Sequence, residues 1–150
     1  QNQLKLAWLP QEPKFPEGAT ILSYAGDDET GWKVQSNLSQ LGIMDYSTPI
    51  EQLSGGQKRK VALAKVLAQD FDVLLLDEPT SGLDFKNMMR ISEHLKALAQ
   101  KGKTILIITH DYEFAAMTCN RVLHFVDEGH VETFPLQENL SRLYSCLMCQ

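Results

Sequence analysis

The stretch Leu53-Ser54-Gly55-Gly56-Gln57 decides how this chain of 150 residues is interpreted. It precedes a helix-forming run that continues to Ala68. Ser54 is a favourable N-cap, and Gln57 stands three residues later, where a capping box has Glu or Gln. The glycines allow close approach of a backbone or a ligand. Because a helix N-terminus presents free N–H groups and a positive dipole end, the stretch predicts an anion site, with phosphate as the natural ligand.

Two apolar runs downstream predict neighbouring strands of a parallel sheet. Residues 73–76 are followed at once by Asp77 and Glu78, and residues 105–108 are followed by Thr109 and His110. Continuous apolar runs of this length are typical of buried parallel strands. Since ligands bind beyond the carboxyl ends of such strands, these polar residues are candidates for one site.

Together these motifs resemble those of the ATP-binding-cassette (ABC) ATPases, from about Leu6 to Val131. The matching segments stand in the family's order: the Q-loop with Gln11 (residues 10–13), the signature motif (53–57), the Walker B strand (73–78), the D-loop (81–84) and the switch histidine, His110. Several motifs in order are far more specific than any one alone. A lone serine-glycine pair would equally suit a turn before a helix, and Gln11 alone would suit a surface turn.

The resemblance implies an α/β fold with an incomplete, three-layer, P-loop NTPase-like core and a small helical subdomain. It places the helical subdomain at about residues 15–52 and the core with the signature, Walker B, D-loop and switch histidine at about 53–134. A C-terminal helix follows at 135–150. All of it is one partial ABC ATPase domain.

The Walker A phosphate loop of that family has no match in these residues. The Gly102-Lys103-Thr104 triplet has Ala97 where the motif needs its first glycine, and a predicted strand rather than a helix follows. The phosphate-binding geometry needs a strand before the loop and a helix after it. We therefore expect the C-terminal part of a cassette, which is not competent for ATP hydrolysis in isolation.

The resemblance also implies roles for individual residues around ATP and Mg²⁺. Glu78 would accept a proton from the attacking water, His110 would contact the γ-phosphate, and Asp77 would hold the metal. Gln11 would sense both the metal and the nucleophile. The residues implied to serve the nucleotide of an opposite subunit, or the seam between subunits, are Ser54, Gly55, Gly56, Gln57 and Asp84.

The function implied is that of the ATP-hydrolysing subunit of an ABC transporter of importer type, which powers transport of a small solute. Residues 81–88 and 109–114 look similar to energy-coupling-factor importers. The implied partners are a second ABC ATPase subunit, arranged head to tail, and an integral-membrane permease. The permease would hold the subunit on the cytoplasmic, inner face of the membrane.

Two alternatives stay open at this point. One is a non-transport ABC protein such as a ribosome-associated translation factor, although that group usually has Thr-Asn-His-Leu-Asp where this chain has residues 80–84. The other is an inactive cassette fragment. A formal charge of −5 argues against a dedicated nucleic-acid partner.

Composition fits an ordinary globular domain, with 43% apolar and 22% charged residues. Cys119, Cys146 and Cys149 are too few for a disulfide framework, and the last two suit a helix end better than a zinc site. Further elements are predicted as strands at residues 4–9, 121–126 and 130–134, a turn at 127–129, an acidic loop at 26–31, and helices at 32–41, 57–68, 85–101, 111–119 and 136–149.

Overall fold

The computed structural model describes residues 3–26, 30–127 and 129–148. Elements along this part of the chain are β1 (Leu6–Leu9), α1 (Ile21–Ala25), α2 (Gly31–Gln40), a 3₁₀ turn (Ile50–Gln52), α3 (Gly55–Ala68), β2 (Val73–Asp77), α4 (Phe85–Gln100), β3 (Thr104–Ile108), α5 (Tyr112–Thr118), β4 (Arg121–Asp127), β5 (His130–Pro135) and α6 (Leu140–Met148). Part of the predicted acidic loop (residues 27–29), Glu128 of the predicted turn, and Cys149 lie outside the described residues.

The described strands form a parallel sheet in the order β1-β2-β3 and an antiparallel hairpin of β4 and β5. Leu9 pairs with Leu76, and Asp77 pairs with Ile108. The prediction that residues 73–76 and 105–108 form adjacent parallel strands is therefore confirmed. The register places the carboxyl ends of β2 and β3 side by side, which positions the residues that follow them.

One face of the parallel sheet carries the core. Leu9, Leu74 and Leu76 are at most 2% exposed and belong to one apolar cluster with α3 and α4. On the opposite face, Trp8 is 58% and Ile108 is 54% exposed. The expectation of fully buried strands is therefore wrong for that face, since α3 and α4 cover a single side of the sheet. The described residues supply two of the three layers that the predicted core has.

Helix α3 begins with the predicted capping box. The backbone N–H of Gln57 donates to Ser54 Oγ at 3.2 Å, and the Gln57 side-chain oxygen accepts from the Ser54 N–H at 2.9 Å. The helix starts at Gly55, two residues before the predicted start, so both glycines lie in its first turn. These bonds satisfy N-terminal N–H groups that an α-helix leaves unpaired.

Two polar side chains on helix surfaces, Lys65 and His94, pack closer to the protein than helical spacing alone indicates. Lys65 is half-buried; its Nζ donates to the carbonyl of Tyr24 at 2.6 Å and lies 4.3 Å from the Tyr24 ring centroid. His94 is also half-buried on α4, and burial lowers its pKa, with a smaller effect from the charge of Lys101. Long and amphipathic side chains can pack their stems against neighbouring elements, which periodicity alone does not reveal.

Helix α4 is amphipathic as predicted, with Met88, Ile91 and Leu95 buried against the core. The last helix, α6, starts at Leu140 rather than at Leu136. Leu136 is buried in a second apolar cluster, and its N–H donates to the carbonyl of Asn120, which ties this segment to the hairpin. The N–H of Leu136 is thus bonded outside the helix, and the helical hydrogen bonds begin later in the chain.

Candidate functional site

The candidate site lies at the carboxyl edge of the parallel sheet. The N–H of Glu78, directly after β2, donates to the carbonyl of Ile108 at 2.8 Å, which joins the two strand ends. His110 follows β3 and lies against Glu78: its ring Nδ1 is 2.7 Å from Glu78 Oε1, and its backbone N–H donates to the same oxygen at 3.0 Å. The two residues that the sequence assigned to different strand ends are thus in direct contact.

Glu78 is held in place while His110 is open to ligands. The Glu78 side chain is 12% exposed, and its second oxygen accepts a bond from Thr109 Oγ1 at 3.3 Å. Its φ is +47°, an uncommon conformation for a residue with a side chain and one that accumulates at functional sites. The His110 side chain is 85% exposed. A fixed carboxylate can take a proton from water, and an accessible imidazole beside it can contact an anion at the same place.

A chain of hydrogen bonds links the loops that carry Glu78 and His110. Thr80 Oγ1 donates to Asp111 Oδ2 at 3.4 Å, and the Asp111 N–H donates to Thr109 Oγ1 at 3.0 Å. Thr109 in turn reaches Glu78. The loop after β2 and the loop after β3 are therefore joined by side chains as well as by the backbone. Sequence reasoning missed this link, because short polar residues in loops carry no periodic signal.

The N-terminus of α3 contacts the loop after β2 within the same chain. A Cβ built on Gly56 would lie 2.4 Å from the carbonyl oxygen of Gly82, so only glycine fits there. Gly82 has φ +75°, in the left-handed region. Gly55 has nothing within 4 Å of a built Cβ, and both it and Ser54 are exposed. The helix start thus has one packed glycine and one open glycine.

Asp84 caps the N-terminus of α4. Its carboxylate accepts the Asn87 N–H at 2.9 Å and the Asn87 side-chain amide at 2.8 Å, which makes it the N-cap of that helix. These bonds, the backbone bond first, lower the pKa of Asp84. Its predicted place at a seam between subunits stays a prediction.

Gln11 and Asp77 lie at the same sheet edge. Gln11 comes two residues after Leu9, which pairs with Leu76, and Asp77 ends β2. The Gln11 side chain is exposed and Asp77 is half-buried. One carboxylate and one amide oxygen match the donors that Mg²⁺ takes from proteins when phosphate and water complete its shell. The donor types of these two residues suit a magnesium ion, and their role as its ligands stays a prediction.

Arg59 is the main site residue that sequence reasoning missed. It lies in α3 and is 8% exposed, and its guanidinium donates to the backbone at Pro10, Gln11 and Asp77. A signal was present in the helical spacing. Leu63 and Val66, four and seven residues later, are apolar and buried, so position 59 falls on the inward face.

Comparison with known proteins gives the family. The profile described as ABC transporter matches residues 1–81. That is more than half of the chain, and the chain belongs to the ABC transporter family.

Individual relatives agree with this assignment. The chain is 34% identical over 131 residues to the probable amino-acid ABC transporter ATP-binding protein of Haemophilus influenzae, covering 87% of this chain and 49% of that protein. It is 41% identical over 99 residues to the energy-coupling factor transporter ATP-binding protein EcfA2 of Mesomycoplasma hyopneumoniae, covering 63% of this chain and 33% of that protein. The chain thus spans about half, or less, of the length of these relatives.

A solved structure shows the same fold. The dimeric post-hydrolysis structure of the ATP-binding cassette MJ0796 bound to ADP and Pi matches with a TM-score of 0.75 and 26% identity, over 89% of this chain and 63% of that chain. The predicted fold class, an α/β ABC ATPase core, is confirmed. In the part of the chain that the structure describes, no helix is both long and apolar enough to cross a membrane.

Proposed function

We propose that this chain supplies the signature, Walker B, D-loop and switch-histidine parts of the ATP-hydrolysing subunit of an importer-type ABC transporter. The observation that carries the proposal is the contact between Glu78 and His110 at the carboxyl edge of the parallel sheet. The names of the relatives, ATP-binding proteins of an amino-acid transporter and of an energy-coupling factor transporter, support the transport function.

Each residue at the carboxyl edge of the sheet has a separate role in ATP hydrolysis, set by its position and charge. Glu78 accepts a proton from, or orients, the attacking water, and the exposed His110 ring contacts the γ-phosphate next to it. Asp77 and Gln11 would hold Mg²⁺, which would neutralise developing phosphate charge. Phosphoryl transfer needs little covalent help from protein, so fixed placement of these groups supplies most of the rate. The bonds from Thr109 and His110 to Glu78 provide that placement.

The start of α3 serves the nucleotide of a second subunit. Ser54 and Gly55 are exposed at the N-terminus of α3, and the N-terminus of a helix favours an anion. Gly56 and Gln57 shape the same turn, and Asp84, the last residue of the D-loop, lies at the seam between the two subunits. This arrangement needs a second ABC ATPase subunit placed head to tail, and the dimeric cassette structure supports such a pairing.

The membrane-spanning part of the transporter is a separate permease. Through it the subunit sits on the cytoplasmic, inner face of the membrane and drives transport of a small solute. The energy-coupling-factor type is supported by the similarity to EcfA2.

The test is ATP turnover by the full-length protein carrying Glu78→Gln. Glutamine keeps the shape of the side chain but cannot take a proton, so phosphate release falls by about 10²–10⁴-fold. Glu93→Gln is the matched control, because Glu93 is exposed on α4. Wild-type turnover by the Glu78→Gln protein, with full activity in the control, would rule out Glu78 as the proton acceptor.

A further inference from the structure

Arg59 has an unusual position for a charged residue. It is 8% exposed, and in the described ranges it shares the set of buried charged residues with Glu78 alone. A buried charge is costly unless it is paired or fully hydrogen-bonded. The groups that compensate the charge of Arg59 therefore show what this residue does.

The guanidinium of Arg59 joins two separate segments of the chain to α3. Nη1 donates to the carbonyl of Pro10 at 3.1 Å and to the carbonyl of Asp77 at 3.3 Å. Nη2 donates to the carbonyl of Gln11. One side chain on the signature helix thus holds the loop after β1 and the end of β2, segments 48 and 18 residues away along the chain.

The chemistry of the contact explains why arginine stands here. Burial lowers the pKa of Arg59, and the negative charges of Asp77 and Glu78 act in the opposite direction. A guanidinium nevertheless stays charged and presents its donors in a rigid planar fork. That fork can reach carbonyl groups of two chain segments at once, which a single ammonium group cannot do with the same geometry.

We propose that Arg59 is a positioning residue that fixes the Gln11 loop to the end of β2 and to the signature helix. Its guanidinium donates to backbone carbonyl groups of Pro10, Gln11 and Asp77, and it acts through the segments that it holds. It places the Gln11 side chain next to Asp77. Because Arg59 stands on α3, this placement depends on the helix whose N-terminus serves the nucleotide of the second subunit. The effect on hydrolysis rests on the proposed function; the effect on the loop does not.

Limited trypsin cleavage tests the loop directly in the full-length protein. Lys14 is exposed in the segment between β1 and α1 that contains Gln11, and Lys96 is exposed on α4. Charge-assisted hydrogen bonds are strong, and cleavage follows the population of the open segment, so Arg59→Gln should raise cleavage after Lys14 by about tenfold or more. Cleavage after Lys96 should not change. Equal cleavage after Lys14 in both proteins, or a parallel rise at both lysines, overturns the proposal.

Kinetics test the positioning role. Arg59→Gln should lower kcat for ATP about tenfold or more, with KM within about twofold, because misplacement of a group near the reacting atoms costs rate rather than binding. Arg59→Lys should lower kcat similarly, since it keeps the charge but loses the fork. Arg90→Gln is the matched control: Arg90 is exposed on α4 and donates to the carbonyl of Gln40 at 2.7 Å, away from the site.

A double substitution shows whether Arg59 acts through Gln11. Gln11→Ala keeps the backbone carbonyl that Arg59 contacts but removes the side chain that Arg59 positions. The losses in kcat should therefore not add, and the double variant should be little worse than the worse single variant. Additive losses overturn the proposal. If wild-type protein hydrolyses no ATP, the proposed function fails, and the ratio of cleavage at Lys14 to that at Lys96 still decides the role of Arg59.

Discussion

The contact between Gly56 and Gly82 makes a sharp prediction for two adjacent glycines. A Cβ at position 56 would lie 2.4 Å from the Gly82 carbonyl oxygen, whereas contacts of this kind essentially never fall under 3.0 Å. Gly56→Ala therefore forces the helix start and the loop after β2 apart by at least about 0.6 Å. Gly55→Ala meets nothing within 4 Å in the same helical turn.

The expected magnitudes follow from the packing. Inserting a methyl group into a closed contact costs about 1–3 kcal/mol in the free energy of unfolding. At about 2–4 °C per kcal/mol for a domain of this size, Gly56→Ala should lower Tm by roughly 2–12 °C. Gly55→Ala should leave Tm unchanged or raise it slightly, because alanine is the better helix former by up to about 1 kcal/mol.

The assay is thermal unfolding of the two alanine variants and the wild-type protein side by side, followed by circular dichroism. Only the difference between the two variants matters, since both make the same chemical change one residue apart. Equal Tm values for Gly55→Ala and Gly56→Ala would refute the close approach of the signature helix and the loop after β2.

Two further predictions concern charge and ligand binding. The pKa of Asp84 is lowered in the folded chain, so its contribution to stability is complete above the unfolded pKa of about 3.9 and is lost as pH falls through the folded pKa. The Tm of Asp84→Asn should therefore fall less than that of wild type between pH 7 and pH 3. An identical fall in Tm would show that the Asp84 cap does not titrate. Calorimetric titration of the 150-residue chain with Mg-ATP should give no micromolar binding. A helix N-terminus contributes at most about 2 kcal/mol, whereas micromolar affinity needs roughly −8 kcal/mol. Micromolar binding would mean that other residues of this chain hold phosphate.

Patterns that repeat along the chain predicted the elements well. The apolar runs before Asp77 and His110 were sufficient to place β2 and β3 next to each other, because continuous runs bounded by polar residues are typical of parallel strands. The capping box at Ser54 is a local rule, and it predicted the start of α3 to within two residues. The amphipathic face of α4 followed from its helical spacing.

Contacts that depend on three-dimensional approach were beyond such patterns. The exposed face at Trp8 and Ile108 could not be read from apolar runs, since a run does not report which side is covered. The Gly56–Gly82 contact and the bonds of Arg59 join segments far apart in sequence. The site residues Glu78 and His110 were named from motifs, but their direct contact at 2.7 Å is a result of the sheet register.

The most direct test of the central claim is sedimentation velocity of the full-length Glu78→Gln protein with Mg-ATP and with Mg-ADP. If two copies enclose ATP and Glu78 is needed to hydrolyse it, the variant forms a lasting dimer with Mg-ATP and stays monomeric with Mg-ADP, whereas wild type dimerises only transiently. A Glu78→Gln protein that stays monomeric with saturating Mg-ATP, or a wild-type protein with an equally lasting dimer, would contradict the account.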